Sequence, residues 1–176
     1  MNFANQLTIV RILAIPAFIV FLFLGHEYIA TAIFLGAALT DMLDGHIARK
    51  YNLVTNFGKL MDPLADKMLI MSALVCLVQL GDVPAWMVIV ILTREFAITG
   101  LRTVAASEGI VIAASVTGKI KTTSQMFAIP LLILHNWPGS YLDIPLDQVF
   151  LWIAVVMTVI SGIEYIVKNK HIFFSV

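Results

Sequence analysis

The chain has little charge and almost no cysteine for its length of 176 residues. Only 12% of its residues are charged, and Cys76 is its single cysteine. A soluble domain carries about 25% charged residues, so this composition excludes a soluble globule, and it equally excludes disorder and nucleic-acid binding. One cysteine excludes a secreted disulfide scaffold. Hydrophobic residues make up 60% of the chain and the mean hydropathy is +0.96, which predicts an integral membrane protein.

Six uncharged runs predict an all-α membrane protein with six transmembrane helices, in which residues 1–176 form a single domain. They cover residues 12–25, 28–40, 68–81, 83–93, 122–142 and 148–163. Most runs are shorter than the roughly 20 residues that cross a bilayer, so we expect helices two, three and four to continue through charged residues. Residues 2–10 predict a short N-terminal interfacial segment that leads into helix one.

The basic residues predict the orientation of these helices. All eleven Lys and Arg residues fall on the side of the membrane that holds both termini. The connections on the opposite side, around residues 26–27, 81–82 and 135–145, contain none. By the positive-inside rule, both termini are expected to be cytoplasmic. The first residues have neither a basic n-region nor a small-residue cleavage site, so no cleaved signal peptide is expected.

Four aspartates at membrane depth are the main functional signal. Asp41 and Asp44 are spaced i, i+3 on helix two, and Asp62 and Asp66 are spaced i, i+4 on helix three, so each pair shares a helix face. Charged residues in the membrane are unfavourable and usually mark function. If the two faces are opposed, the four carboxylates form one site. The alternative is a structural cluster in which the acids pair with nearby cations.

Such a site must be neutralised, either by protonation of some aspartates or by divalent cations. Two Mg²⁺ ions would balance the four carboxylates in formal charge, and all-oxygen ligation suits Mg²⁺ or Mn²⁺. Gly45 and Gly58 favour the metal interpretation, because a helical glycine lets a bulky ligand approach closely. Arg49, one turn beyond Gly45, can donate a fork of hydrogen bonds to a phosphate. Two metals beside an arginine are typical of phosphoryl-type transfer.

These residues resemble the signature of a known family. Asp41, Asp44, Gly45, Ala48, Arg49, Gly58, Asp62 and Asp66 reproduce the pattern D-x2-D-G-x2-A-R-x8-G-x3-D-x3-D of the CDP-alcohol phosphotransferases, six-helix membrane enzymes of phospholipid synthesis. The resemblance implies that the four aspartates bind two divalent cations and that Asp66 is the general base. It also implies that Gly45 and Arg49 contact the cytidine diphosphate, and that the protein is a homodimer.

Two further segments resemble nucleotide-contacting positions of the same family. Asn5, Thr8 and Arg11 match its N-x2-T-x2-R entry segment, and Thr55 matches a hydroxyl position that contacts the same substrate. With Gly45, Arg49 and Gly58, these residues are the expected binding set for CDP-diacylglycerol. Alternatively, Asn5 and Thr8 only cap an interfacial helix.

Basic residues of the second half predict a pocket for an anionic acceptor. Arg94 and Arg102 on helix four, and Lys119 and Lys121 at helix five, share the cytoplasmic side with the aspartates. A neutral alcohol would not need such a cluster, and a cationic one would be repelled by it. The surrounding pattern resembles the branch of the family whose acceptor is sn-glycerol 3-phosphate, in short bacterial inner-membrane chains. Alternatively, some of these residues are only positive-inside anchors.

The resemblance implies a reaction in which Asp66 takes a proton from the 1-hydroxyl of glycerol 3-phosphate. The alkoxide attacks the β-phosphorus of CDP-diacylglycerol, and CMP leaves. Inositol phosphate and phosphatidylglycerol remain alternative acceptors. A cation transporter is a rival interpretation, because buried aspartates also line ion pathways. It is disfavoured because all four acids lie at one membrane side and the two halves lack a matching pair of broken helices.

Overall fold

The structure is a computed structural model that describes residues 3–50, 56–107, 109–110, 112–113 and 115–169. Side chains are described for these residues except 3–8, 41–50, 56–64, 66 and 142. This part of the chain is all helical and contains no strand. Its α-helices are α1 (Phe3–Phe23), α2 (Glu27–Lys50), α3 (Asn56–Leu80), α4 (Ala85–Ser107), α5 (Val116–Ile133) and α6 (Leu146–Lys168). A short 3-10 helix, Gly139–Leu142, lies between α5 and α6.

The expected extension of three helices through charged residues is confirmed. Helix α2 continues through the positions of Asp41, Asp44 and Arg49 to Lys50. Helix α3 begins at Asn56, close to the predicted start near Gly58. Helix α4 includes Arg94, Glu95 and Arg102. These candidate site residues therefore lie on regular helices, where sequence spacing determines which of them share a face.

Two predicted boundaries differ from the structure. The expected interfacial segment 2–10 is not a separate element, because α1 runs without a break from Phe3 to Phe23. The predicted span 122–142 is wrong at both ends, since α5 starts at Val116 and ends at Ile133. Ser115 caps its N-terminus by accepting a hydrogen bond from the Gly118 backbone. Beyond its C-terminus, His135 and Asn136 have φ of 49° and 63°, a left-handed conformation that does not continue an α-helix.

The helices pack into a bundle around one apolar core. Short connections reverse the chain after α1 and α3, and α5 packs along α6 while α1 contacts both α2 and α3. Helix α4 packs against α6. Phe18 of α1 and Phe34 of α2 are fully buried, with ring centroids 6.0 Å apart. The apolar core thus occupies the middle of the bundle, and polar residues lie towards the ends of the helices.

The outer surface exposes many large apolar side chains, while a few polar side chains are buried. Lys121, Gln125 and Ser161 are buried, whereas much of the outer surface is apolar. On α6, the exposed apolar residues are Val149, Trp152, Ile153, Val156, Val159, Ile160, Ile163, Ile166 and Val167. Among the described residues, α6 is the helix that is long and apolar enough to cross a membrane. Shorter apolar stretches are Ile9–Phe23, Glu27–Thr40 and Lys67–Leu80.

Candidate active site

A cavity of about 490 Å³ opens between α3, α4, α5 and α6, at the end of the bundle where α3 and α5 begin. Its lining is strongly cationic. The basic residues that line it are Lys67, Arg94, Arg102, Lys119 and Lys121. Glu95 is the one carboxylate among the described lining residues. The excess of positive charge makes the cavity complementary to a small anion such as a phosphate monoester.

The helical repeat places the basic side chains on the faces of α4 and α5 that line the cavity. Arg94 and Arg102 lie two turns apart on α4, so both side chains leave the same face of that helix. On α5, Lys121 and Gln125 are spaced i, i+4 and are both buried, with 3% and 2% exposure. Lys119 of α5 also lines the cavity but is exposed. Lysine and arginine therefore approach the same space from different helices.

Glu95 is the centre of the polar network inside the cavity. Its carboxylate accepts hydrogen bonds from Arg94 Nη1 at 2.9 Å and from Lys121 Nζ. The Lys67 ammonium donates to Thr99 Oγ1, and that hydroxyl donates to the Glu95 carbonyl oxygen at 2.6 Å. One carboxylate thus compensates part of the charge of several cations.

Two glycines make room for Arg94 where it crosses from α4 to the other helices. A Cβ at Gly162 of α6 would lie 3.3 Å from Cγ of Arg94. A Cβ at Gly118 of α5 would lie 3.4 Å from Arg94 Nη2 and 3.1 Å from Ser115 Oγ. Contacts of 3.3 Å and below are tighter than side chains normally adopt, because the helices are already in van der Waals contact. The absence of a side chain at Gly162 therefore leaves the space that the Arg94 side chain occupies.

Tyr165, in the last turns of α6, forms the remaining wall of the cavity. Its side chain is 4% exposed. The phenol oxygen hydrogen-bonds to Arg102 Nη2, the Ser115 backbone nitrogen and the Ala113 carbonyl oxygen. The ring lies 5.4 Å from Arg94 Cζ and 5.3 Å from Arg102 Cζ. Tyr165 thus touches both arginines and the connection between α4 and α5.

The structure brings together all four residues that the sequence assigns to an acceptor-phosphate pocket. Arg94, Arg102, Lys119 and Lys121 line the same cavity. Lys121 differs from the expectation in one respect, because it is buried and paired with Glu95. Arg11, predicted to contact the nucleotide, is 1% exposed within α1 and is not among the residues that line this cavity.

The predicted carboxylate site falls on the parts of α2 and α3 whose side chains are not described. Its residues are Asp41, Asp44, Gly45 and Arg49 on α2, and Gly58, Asp62 and Asp66 on α3. Asn5 and Thr8 belong to α1, also without described side chains, and Thr55 lies outside the described residues altogether. Among the described side chains, no group of three or more His, Cys, Asp or Glu is arranged to hold a metal.

The chain itself connects the cavity to the predicted carboxylates. Lys67, which lines the cavity, directly follows Asp66 on α3, and Asp62 lies about one turn earlier on that helix. Helices α2 and α3 also contact each other. The cavity therefore borders the part of α3 that carries the positions of Asp62 and Asp66.

Sequence reasoning missed Tyr165 and the central role of Glu95. Tyr165 is a single tyrosine within an apolar helix, where nothing in the local pattern separates it from a core or lipid-facing aromatic residue. Glu95 stands next to Arg94 in the sequence, and nothing in that position indicates the contact with Lys121, 26 residues away. Both contacts depend on how the helices pack.

Comparison with known proteins places this arrangement in a family. The family model described as CDP-alcohol phosphatidyltransferase matches residues 1–160. A Bacillus subtilis protein named CDP-diacylglycerol--glycerol-3-phosphate 3-phosphatidyltransferase is 48% identical, over 96% of this chain and 95% of that protein.

Relatives from distant bacteria have similar names. A Rickettsia bellii protein with the same name as the Bacillus protein is 40% identical, over 98% of this chain and 97% of its own length. A Mycobacterium tuberculosis protein named probable phosphatidylglycerophosphate synthase is 42% identical, over 95% of this chain and 81% of its own length. The likeness covers nearly the whole chain in each case, so it includes the cavity as well as the predicted carboxylates.

Proposed function

The chain belongs to the CDP-alcohol phosphatidyltransferase family, and we propose that it transfers the phosphatidyl group of CDP-diacylglycerol to sn-glycerol 3-phosphate. The products are phosphatidylglycerophosphate and CMP. The observation that carries the choice of acceptor is the cationic cavity, where Arg94, Arg102, Lys119 and Lys121 surround a space of about 490 Å³. The names of relatives at 40–48% identity support the same substrates.

Charge is the main argument for glycerol 3-phosphate over a neutral alcohol. Among the side chains that the structure describes, five basic residues and one carboxylate line the cavity. An acceptor without charge would leave this excess uncompensated, whereas a phosphate monoester accepts charge-assisted hydrogen bonds from lysine and arginine. Arginine suits this role because its planar fork matches two phosphate oxygens at once.

We propose that the protein spans the bacterial inner membrane six times as one domain, with both termini and the active site on the cytoplasmic side. The segregation of all eleven basic residues supports this orientation. The many large apolar side chains on the outer surface, together with the buried Lys121 and Gln125, support a lipid environment. The acyl chains of CDP-diacylglycerol would then remain in lipid while its headgroup enters from the side. We further propose a homodimer, which cross-linking in membranes would test.

Asp41, Asp44, Asp62 and Asp66 are proposed to hold two divalent cations, Mg²⁺ or Mn²⁺. The fit rests on the helices: α2 and α3 are helical at all four positions and contact each other, and the donors are all oxygen. When bound, such cations would supply charge stabilisation to the diphosphate. Asn5, Thr8, Arg11, Gly45, Arg49, Thr55 and Gly58 are proposed to bind CDP-diacylglycerol.

The protein's own residues provide orientation and proton transfer. The cavity cations hold the phosphate of the acceptor, which directs its 1-hydroxyl towards α3 and the Asp66 carboxylate. Asp66 accepts the hydroxyl proton as general base. The new bond forms between the acceptor oxygen and the β-phosphorus, and the bond from that phosphorus to the bridging oxygen breaks. CMP leaves with the electron pair, and Arg49 offsets its charge.

The decisive experiment measures CMP release by purified protein with CDP-diacylglycerol and a panel of acceptors. The panel contains sn-glycerol 3-phosphate, inositol phosphate, phosphatidylglycerol and glycerol. We expect rapid release with glycerol 3-phosphate and little with glycerol, which has the same hydroxyl but no phosphate. Faster release with inositol phosphate or phosphatidylglycerol would contradict the proposed acceptor. Release with none of the four would contradict the proposed activity.

A further inference from the structure

Tyr165 has contacts that a tyrosine used only for packing does not need. Its hydroxyl donates to the Ala113 carbonyl oxygen at 3.0 Å and accepts from the Ser115 backbone nitrogen at 3.0 Å. It also accepts a hydrogen bond from Arg102 Nη2. A phenol oxygen has one donor and two acceptor positions, so all of its hydrogen-bonding capacity is used.

Both arginines of the cavity are held against the same ring. Arg94 Cζ lies 5.4 Å and Arg102 Cζ lies 5.3 Å from the ring centroid. Two guanidinium groups that share one face of a cavity repel each other, and the negative face of an aromatic ring reduces the cost of bringing them together. Tyr165 is nearly inaccessible, at 4% exposure, so its ring is a fixed reference for the two side chains.

The two arginines depend on Tyr165 to different degrees. Arg94 also contacts Glu95 at 2.9 Å and is confined by Gly118 and Gly162. Arg102 is an exposed residue on α4, and the contacts described for its guanidinium are those to Tyr165. Loss of the phenol hydroxyl should therefore release Arg102 more than Arg94.

We propose that Tyr165 is a positioning residue, which sets the affinity for the anionic acceptor by holding Arg102 in the cavity. This inference rests on the proposed function, because it assigns Arg102 to the acceptor phosphate. A long side chain that is already ordered loses little conformational freedom when the phosphate binds. A freed Arg102 must be ordered at that moment, so acceptor binding weakens while the bond-making step is unaffected.

The test compares Tyr165→Phe with the parent protein in steady-state CMP release. Phenylalanine keeps the ring against both guanidinium groups and removes only the hydroxyl. We expect the KM for glycerol 3-phosphate to rise about 2- to 10-fold, the range for one immobilised long side chain. The kcat and the KM for CDP-diacylglycerol should stay within about twofold. Tyr141→Phe is the matched control, because Tyr141 is 80% exposed on the opposite side of the bundle.

A double-mutant cycle separates positioning from a general structural role. Arg102→Gln should raise the acceptor KM, and Tyr165→Phe added to it should cause little further change, because its effect acts through Arg102. Additive effects, an unchanged acceptor KM in Tyr165→Phe, or a parallel loss in both KM values and kcat would overturn the inference. A Tyr165→Phe protein that does not fold would overturn it as well, since the hydroxyl would then be structural.

CMP release by the parent protein distinguishes failure of the positioning role from failure of the proposed function. If it releases CMP with glycerol 3-phosphate while Tyr165→Phe behaves like it, only the positioning role fails. If it does not release CMP with glycerol 3-phosphate, the proposed function fails first, and the positioning role fails with it.

Discussion

Lys121 of α5 and Glu95 of α4 form an ion pair inside the cavity, and their side chains are 4% and 13% exposed. Each helix therefore contributes one charge to a contact that water reaches poorly. The pair links the consecutive helices α4 and α5. It also holds the buried Lys121 at the wall of the cavity. Glu95 also holds Arg94, so one carboxylate organises two of the cavity's cations.

Replacement of Glu95 by glutamine should destabilise the protein, because Lys121 would be left in a buried position without its carboxylate partner. Removal of one partner of a buried ion pair costs about 3–5 kcal/mol. Thermal unfolding in detergent would measure the loss. Glycerol 3-phosphate should restore more stability to Glu95→Gln than to the parent protein, since it supplies the missing negative charge.

The control for this variant is Glu27→Gln at the other end of the bundle. Glu27 pairs with His135 at 2.9 Å, but the two side chains are 37% and 66% exposed. Exposed pairs contribute little, so its unfolding temperature should hardly change. Equal effects of the two substitutions would contradict a special role for the buried pair.

Lys119 and Lys121 should give different results when each is replaced by alanine. Both line the cavity, and a hydrogen bond to a charged group contributes about 1.5–3 kcal/mol, so each should raise the acceptor KM roughly 10- to 100-fold. Only Lys121→Ala should also lower the unfolding temperature, because it leaves Glu95 without its partner on α5. The KM for CDP-diacylglycerol should change little in either variant.

Lys168→Ala provides the control for these lysines. Lys168 is 68% exposed, pairs with Glu164 at 2.6 Å on α6 and is not among the residues that line the cavity. We expect its kinetics to match those of the parent protein. An unchanged acceptor KM in a protein lacking both Lys119 and Lys121 would remove the charge argument for an anionic acceptor.

Asp66→Asn should separate binding from chemistry. Three carboxylates would remain for the cations, so CDP-diacylglycerol should still bind, whereas loss of a general base lowers the rate about 10²- to 10⁴-fold. Equilibrium binding and CMP release measure the two properties. Asp82→Asn, in the connection between α3 and α4, serves as the control. Turnover near the parent level in Asp66→Asn would mean that another group takes the proton.

Removal of divalent cations should abolish CMP release. Four carboxylates brought close together repel one another unless cations neutralise them. We therefore expect EDTA to reduce activity to background and to lower the unfolding temperature, and Mg²⁺ or Mn²⁺ to restore both. Full CMP release in excess EDTA would exclude the proposed two-metal site.

Gly162→Ala should disturb Arg94 without changing any charge. The added Cβ would lie 3.3 Å from Cγ of Arg94, so the arginine must move by a few tenths of an ångström. We expect the acceptor KM to rise roughly 2- to 10-fold, because small displacements of a binding group weaken a defined geometry. Gly100→Ala on α4 is the control, since its Cβ would meet nothing within 4 Å. Identical acceptor KM values for the two variants would show that Arg94 tolerates the shift.

The sequence alone determined the environment, the helices and the type of chemistry. Low charge with high hydropathy predicted the helical bundle, and short apolar runs predicted that α2, α3 and α4 continue through charged residues, because a bilayer requires a minimum length. The fixed spacing of Asp41, Asp44, Asp62 and Asp66 carried the family resemblance. The same spacing predicted that each pair shares a helix face, since residues three or four apart lie on one side of a helix. These properties depend on local periodicity, which a sequence records directly.

Only the tertiary structure decided how the second half forms a cavity. Lys121 and Glu95 meet because α4 and α5 both pack against α6 and line the same cavity, and Arg94 fits because Gly162 of α6 has no side chain that would meet the arginine Cγ. Tyr165 joins Arg102 to the segment before α5 from a helix 63 residues further along the chain. Contacts between distant helices depend on side-chain shape and packing, and no periodic pattern in a single sequence specifies them.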